Sequence, residues 1–337
     1  MNAITLSVIV PMYNAAPLIE RCLAPLLAMR ARGEITEIIV VNDCSTDRSA
    51  DVVAGVPGVR LERTPAQGGP GVARNLAAGI ASGTHLWFVD SDVIVADNAA
   101  RLIAGAFAAS GAGAVFGCYD DAPAATNFLS QYKNLVHRYY HARARADAST
   151  FWAGCGAVER ELFISLGGFD AVRYRYPSIE DIELGYRIIA AGRRIVLKHE
   201  LEGKHLKEWR LMNLLHTEIF RRAIPWSQLM IERKHITSDL NVGPGERVRA
   251  VLSLCVLLAA LAWTIGFASW WLPLGVLAAA MAANGELVRY FLARRGGWFA
   301  LRAFSYHQMY YLYSTASFAF VCLKRLFVTK PEGDPPR

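Results

Sequence analysis

Two rhythms of hydrophobic and polar positions run through the N-terminal two thirds of the chain. Residues 4–10 and 37–41 are apolar, β-branched runs without alternation, as in strands buried on both faces of a parallel sheet. Between them Leu18, Ile19, Cys22, Leu23, Leu26 and Leu27 recur at helical spacing after Pro17, a residue suited to a first turn. A helix capped by Ser45 or Asp47, a short strand at 59–62, a helix at 72–81 and a strand beginning at Leu86 continue the series. The alternation predicts an α/β domain with a mostly parallel sheet flanked by helices. Ligands of such domains gather at the carboxyl ends of the strands.

Polar residues cluster where the runs stop. Pro11-Met12-Tyr13-Asn14 ends the first, Asn42-Asp43-Cys44-Ser45-Thr46-Asp47 the second, and Asp90-Ser91-Asp92 follows Leu86-Trp87-Phe88-Val89. In an extended chain Asp90 and Asp92 share one side, where their like charges repel unless a cation intervenes. Hard oxygen ligands at this density suit Mg²⁺ or Mn²⁺ with positions open for phosphate oxygens. For an isolated Asp-x-Asp the alternative is a turn that caps the next helix. The glycine-rich Gln67-Gly68-Gly69-Pro70-Gly71 is not a dinucleotide fingerprint, because Arg74 stands where the third glycine belongs and the first strand–helix turn has no glycine.

Past Asp92 the pattern loosens to a helix at 97–109, a strand at 114–118 and an amphipathic stretch at 127–146. His137, Arg138, His141 and Arg143 there read as a solvated helix face. Small residues in Phe151-Trp152-Ala153-Gly154-Cys155-Gly156-Ala157 allow close backbone approach beside a large aromatic. Farther on, Ser178 is placed to cap a helix whose first turns hold Glu180, Asp181 and Glu183.

Composition adds a second theme. The 337 residues are 53% hydrophobic with a mean hydropathy of +0.23, which points to membrane contact. The 36 Lys+Arg against 29 Asp+Glu give a net charge of +7, and much of the excess lies near the apolar C-terminal third. No basic run interleaves with aromatics, so the charge argues for phosphate or a membrane surface and against nucleic acid. The six cysteines lack C-x-x-C spacing and read as reduced core residues, neither a zinc site nor a disulfide framework. Residues 1–7 lack a basic n-region and Pro11 stops the next apolar run, so no secretory signal is expected.

Residues 248–267, flanked by Arg247 and Arg249, are long enough to cross a hydrocarbon core of ~30 Å as a helix. Residues 270–286 could return, and 303–323 is uncharged but rich in Tyr. Arg289, Arg294, Arg295 and Arg302 fit a cytoplasmic side, whereas a third crossing would carry Lys324, Arg325 and Lys330 outward. Two crossings with interfacial helices, or three crossings, are expected, with domains at 1–235 and 236–337.

The ordered set VIVPMYN, EIIVVNDCSTD, a glycine-rich loop running into ARN, FVDSDV, LGGFD and EDIELGYR resembles the inverting glycosyltransferases of family 2, which have the GT-A nucleotide-diphospho-sugar transferase fold. The match covers residues 6–226. The resemblance implies that Pro11, Tyr13 and Asn14 line a nucleotide pocket, that Asp43 binds base or ribose, and that Arg74 sits near base or diphosphate. Asp90 would touch ribose or metal, and Asp92 would ligate a divalent metal, Mn²⁺ or Mg²⁺, bridging the diphosphate. A sugar hydroxyl must lose its proton as it attacks, so Asp181 becomes the general base, with Glu180 orienting the site or meeting the acceptor. Trp152 and Gly154 fall on the acceptor side. His205 is the candidate third metal ligand or diphosphate contact, with His199 its rival.

The Q-x-x-R-W motif of processive polysaccharide synthases is missing, and Arg222-Ala223-Ile224-Pro225-Trp226 is no substitute, so a single transfer per encounter is expected. The expected protein is a metal-dependent enzyme of the inner or plasma membrane with its catalytic domain in the cytoplasm. It would move a sugar with inversion from a UDP-linked donor to a hydroxyl of a lipid-linked or glycan acceptor. One alternative is transfer to a polyprenyl phosphate, whose ionised nucleophile needs no base; another is a non-catalytic nucleotide-binding membrane scaffold. Donor sugar, acceptor, metal and oligomeric state are not legible in the sequence.

Overall fold

All seven residues of the first strand, β1 (Leu6–Met12), are buried. In the computed structural model, which describes residues 3–233 and 243–327, the sheet is built outward from it. The first of two units ends at Leu211. The chain continues from β1 through α1 (Ile19–Ala31), β2 (Glu37–Asn42), α2 (Ser49–Ala54), β3 (Arg60–Arg63), α3 (Pro70–Ile80), β4 (His85–Val89), β5 (Val93–Val95) and α4 (Ala99–Ser110). Then come β6 (Ala114–Tyr119), α5 (Phe128–Arg143), β7 (Asp147–Ala148), β8 (Cys155–Glu159), α6 (Arg160–Ser165), α7 (Glu180–Ala190) and β9 (Ile195–His205). Alternate strand residues serve opposite layers. Val8, Val10 and Trp87 pack with residues of α1 and α4, whereas Ile9, Ile39 and Phe88 pack with residues of α3, α6 and α7. This two-sided burial is why the strands read as continuous apolar runs.

The strand order is β3-β2-β1-β4-β8-β6-β9-β5, with β7 paired to β9. Four pairings are parallel, β1–β2, β1–β4, β2–β3 and β6–β9, and four are antiparallel, β4–β8, β6–β8, β5–β9 and β7–β9. The sheet is therefore mixed, not mostly parallel as the strand–helix alternation predicted. Each antiparallel pairing involves β5, β7 or β8, all of which follow the strand–helix series that ends with β4.

The antiparallel strands complete one edge of the sheet. The start of β8 lies against the end of β4, Cys155 opposite Val89, and the end of β9 lies against the start of β5, His205 opposite Val93. Tyr119, at the end of β6, lies opposite Gly203. The polar tip after β4 thus meets segments from the antiparallel half.

The cysteines are all free thiols, but only Cys22, Cys118 and Cys155 are core residues; Cys255 is exposed. Burial pushes the Cys155 thiol up to about 12 and that of Cys118 to about 11.

The second unit is helical: α8 (Leu211–His216), a π-helical turn (Thr217–Ala223), α9 (Ile224–Glu232), α10 (Pro244–Thr264), α11 (Trp271–Ala283) and α12 (Gly285–Phe327), which bends at Gly296. The expected domain limit at 235–236 and the flanking Lys330 lie outside the described residues. Among the described helices α10 alone is long and apolar enough to cross a membrane, and α11 with α12 passes only as a pair bent by 72°. The expected 248–267 segment begins in α10, 270–286 is largely α11, and 303–323 falls within α12, where His307 and Tyr311 are buried in the unit.

In α7, Gly185 is where the helix meets the chain before β8. A Cβ there would come within 2.5 Å of the Phe151 nitrogen and 2.9 Å of the Thr150 carbonyl carbon. Alanine ordinarily favours a helix over glycine by about 1 kcal/mol. Gly185→Ala should instead destabilise by about 1–3 kcal/mol through overpacking against backbone that cannot yield cheaply. Urea unfolding checks this: a lower midpoint at unchanged slope is expected, and an equal or higher midpoint contradicts the close approach.

Candidate active site

The third polar tip is a turn between two strands. The β4 strand stops at Val89, the Asp90 N–H donates to the Gly154 carbonyl at 3.1 Å, and β5 resumes at Val93. The two carboxylates of the turn find different partners. Arg74, delivered by α3, donates from Nη2 to Asp90 Oδ1 at 2.6 Å and from Nη1 to Glu180 Oε1 at 3.0 Å. Its side chain is only 4% exposed and lies over the Phe169 ring. Asp92 faces His205, with Oδ2 and Nε2 3.7 Å apart, and its backbone carbonyl accepts from the Leu206 N–H at 2.8 Å.

Electrostatics separates these carboxylates further. Burial pushes the Asp90 carboxyl up, Arg74 pulls it down, and Asp92 and Glu180 push it up again, leaving it above the ordinary carboxylate range. Burial also pushes Asp92 up, but the His205 hydrogen bond, the His205 charge and Lys207 outweigh it and hold Asp92 low. Three carboxylates share this corner with one buried guanidinium.

Glu180 and Asp181 open α7. The helix begins at Glu180 with Ile179 at its cap position, so Ser178 falls outside it, and the Ser178 N–H instead donates to Glu180 Oε2 at 2.8 Å. This corrects the expected Ser178 cap: the acid turns back on the segment before the helix because its other oxygen is anchored by Arg74. Glu180 is therefore buried with both oxygens engaged. The half-buried Asp181 accepts the Ala153 N–H on Oδ2 at 3.1 Å, which ties it to the segment carrying Trp152 and Gly154.

A Cβ on Gly154 would come within 2.4 Å of the Trp152 ring. Trp152 packs edge-on to Tyr119 at 4.8 Å, and Tyr119 stacks on His205 at 4.5 Å. His137 stacks on His141 at 3.9 Å and packs tilted against Tyr119 at 4.4 Å, and Arg138 pairs with Glu202. The solvated face expected for α5 is thus corrected for His137, Arg138 and His141, which pack on the sheet edge and Trp152. Only Arg143 of the four is exposed. His199 lies further back in β9, away from Asp92.

The residues expected to line a nucleotide pocket form a second group at the ends of β1 and β2. Pro11 pairs with Val41 inside the sheet, and Tyr13 is 45% exposed just beyond it. Asn14 adopts φ 50°, and its Oδ1 accepts from the Thr46 N–H at 2.8 Å, joining the two loops. Asp43 is 3% exposed; its carboxylate accepts from Thr64 Oγ1 and from the N–H groups of Gly68 and Gly69. Asp43 thereby anchors the glycine-rich loop. Sequence reasoning missed Tyr119 and Lys207. Tyr119 obeys the rule that found the others, a polar residue at a strand end, and Lys207 follows His205 by two positions.

A divalent metal fits Asp92 and His205, an oxygen and a nitrogen donor facing each other, while Asp90 is held by Arg74. Among the described residues no cluster of three metal-ligating side chains occurs. Donor oxygens from a bound diphosphate and water would complete the coordination.

The family model described as Glycosyl transferase family 2 matches residues 7–167. A poly(ribitol-phosphate) beta-glucosyltransferase of Bacillus spizizenii is 40% identical over 99 residues, 28% of this chain and 16% of that protein. Succinoglycan biosynthesis protein ExoO of Rhizobium meliloti is 39% identical over 104 residues, 30% of this chain and 29% of that protein. The chain thus spans under a third of the length of these curated relatives. Among solved structures, mannosyltransferase PcManGT from Pyrobaculum calidifontis, in complex with GDP-Man and Mn²⁺, superposes with a TM-score of 0.60 at 22% identity over 95% of this chain and 88% of that one. Staphylococcus aureus TarS 1-349 in complex with UDP-GlcNAc gives 0.52 at 16% identity, over 94% and 89%. At these identities the likeness is one of fold.

Removing Arg74 leaves two covered carboxylates without a counter-charge, so Arg74→Ala should cost about 3–5 kcal/mol of stability. The sign with pH follows from Asp90. A group whose folded pKa lies above its unfolded value contributes stability below the unfolded value and loses it as pH rises through the folded one. Without Arg74 that loss grows, so the deficit of Arg74→Ala should be larger near pH 7 than near pH 4. Denaturant midpoints at both pH values check it, and a deficit independent of pH contradicts the bridge.

Proposed function

Residues 7–167 are a family 2 glycosyl transferase domain, and from that premise we propose that this GT-A protein is a metal-dependent, membrane-anchored inverting glycosyltransferase. It takes a sugar from a UDP-linked donor and passes it once per encounter to a hydroxyl of a lipid-linked or glycan acceptor. The observation that carries this reading is the meeting of Asp92 and His205, Arg74 with Asp90, and Asp181 along one edge of the sheet. The names of the relatives support the donor class. The Bacillus spizizenii protein is by name a glucosyltransferase, and the solved neighbours hold GDP-Man and UDP-GlcNAc, both nucleotide-diphospho-sugars.

The chain's own residues divide the work. Asp92 and His205 would hold the metal beside the diphosphate end of the donor. When bound, the metal offsets the charge that develops on the leaving diphosphate. Arg74 fixes Asp90 on one side and the start of α7 on the other. Glu180 is a positioning residue, since it is buried and ion-paired with Arg74, whereas the half-buried Asp181 receives the backbone N–H groups of Ala153 and Ile182. Asp181, oriented by the Ala153 N–H, takes the proton from the acceptor hydroxyl as that oxygen attacks the anomeric carbon from the face opposite the diphosphate. Pro11, Tyr13, Asn14 and the loop held by Asp43 bound the nucleotide end, and Trp152 and Gly154 the acceptor end. The uncharged run of α10 beyond Arg249 supports attachment to a membrane, and this reading keeps the transferase unit on the cytoplasmic side.

The test is turnover of a panel of UDP- and GDP-sugars by the full chain, read as nucleotide release and as the anomeric configuration of the product. Asp181→Asn keeps the Ala153 hydrogen bond but cannot take a proton, so it should lower kcat by roughly 10²–10⁴ with nucleotide binding unchanged. Chelation should abolish turnover and Mn²⁺ should restore it. Full activity of Asp181→Asn on a polyprenyl phosphate would instead favour the phosphate-acceptor reading. Survival of every sugar nucleotide would favour a non-catalytic scaffold.

A further inference from the structure

The helical unit leaves an apolar surface uncovered. No charged residue occurs between Arg249 and Glu286, and that stretch is a helical hairpin, with α10 packed on α11. The turn between them exposes Ile265, Phe267, Trp270 and Trp271, at 72%, 88%, 49% and 64%. Charge collects at the other end. Arg249 pairs with Glu246 and donates from Nε to the Ala283 carbonyl at 2.8 Å. The Tyr311 hydroxyl lies 2.6 Å from Glu246 Oε2, to which it donates, and 3.2 Å from Asn284 Oδ1. These bonds tie the first turns of α10 to the last turn of α11 and to α12, so the base of the hairpin is a fixed polar knot that resists entry into hydrocarbon.

Length then decides how far the hairpin reaches. At 1.5 Å per residue the 13 residues of α11 rise about 20 Å, and the part of α10 beyond Arg249 rises about the same. A hydrocarbon core is ~30 Å thick, so a hairpin with its base at the headgroups passes the midplane and stops inside. The full length of α10 meets the spanning criterion only by counting the residues of the knot. Arg247, Arg289, Arg294 and Arg295 are exposed and flank the uncharged stretch in sequence, where they match an anionic headgroup layer.

We propose that residues 250–285 form a re-entrant anchor, inserted from one face of an anionic bilayer and ending within it. This rests on the membrane reading above but replaces the expected two crossings by none in this stretch. A bilayer thinned by about 10 Å around the hairpin would instead bring the tip to the far surface.

The experiment places single reporter thiols at the two ends of the hairpin in the full-length protein. Ser269→Cys sits at the exposed tip, and Gly245→Cys sits at the base, where an added Cβ meets nothing within 4 Å. Each variant is reconstituted into phosphatidylcholine–phosphatidylglycerol vesicles, recovered by flotation, and treated with a membrane-impermeant maleimide outside, trapped inside, or after detergent. Labelling is read peptide by peptide. The proposal predicts that residue 245 labels from one side and residue 269 from neither until detergent is added. Labelling of residue 269 from the side opposite residue 245 would mean a spanning hairpin, and from the same side a hairpin lying on the surface; either overturns the proposal. Failure to float would overturn the membrane reading itself, and comparing wild type in that assay separates this from a damaged variant.

Discussion

A guanidinium almost closed to solvent joins carboxylates from two distant places in the chain, and the arrangement of the site depends on it. Arg74 is 106 positions from Glu180 and 16 from Asp90. Covering such a cation is costly unless both its partners stay in place, so the bridge locks the turn after β4 to the start of α7. It also assigns roles among chemically similar groups. Asp90 and Glu180 are consumed by Arg74, which leaves Asp92 facing His205 and Asp181 facing the segment before β8.

The antiparallel half of the sheet supplies the partners that the parallel half lacks. The β8 strand starts where β4 ends and β9 ends where β5 starts, so Gly154 and His205 arrive at the Asp-Ser-Asp turn by strand register alone. The glycines on this path act by close approach: Gly154 leaves room for the Trp152 ring and Gly185 lets α7 press on residues 150 and 151. A rigid scaffold thus holds a site built from turns and strand ends.

The parallel half was legible because double-sided burial writes itself as unbroken apolar runs, and the polar tips stood out where the runs stopped. The ordered motifs then named most residues of the site. The antiparallel half was not legible, since strand direction is fixed by connections and partners rather than by hydrophobic period. For the same reason α5 misled: its His and Arg residues have helical spacing on a polar-looking face, and only the fold shows Trp152 and Tyr119 covering it. The commitment of Asp43 to the glycine-rich loop, and of both Glu180 oxygens to Arg74 and Ser178, depends on contacts no local pattern encodes. In the helical unit, sequence length gave candidate crossings, while the knot of Glu246, Arg249, Asn284 and Tyr311 shortens what can enter a bilayer.

The central claim is that the edge holding Asp92 and His205 binds a nucleotide diphosphate through a divalent metal. Calorimetric titration of UDP, with GDP as comparison, into the purified full-length protein with and without Mn²⁺ tests it directly, for the wild type and for Asp92→Ala. The account predicts that UDP binds only with metal present and that Asp92→Ala abolishes this binding without lowering the unfolding midpoint. Equal binding without metal, or binding undiminished in Asp92→Ala, would contradict it.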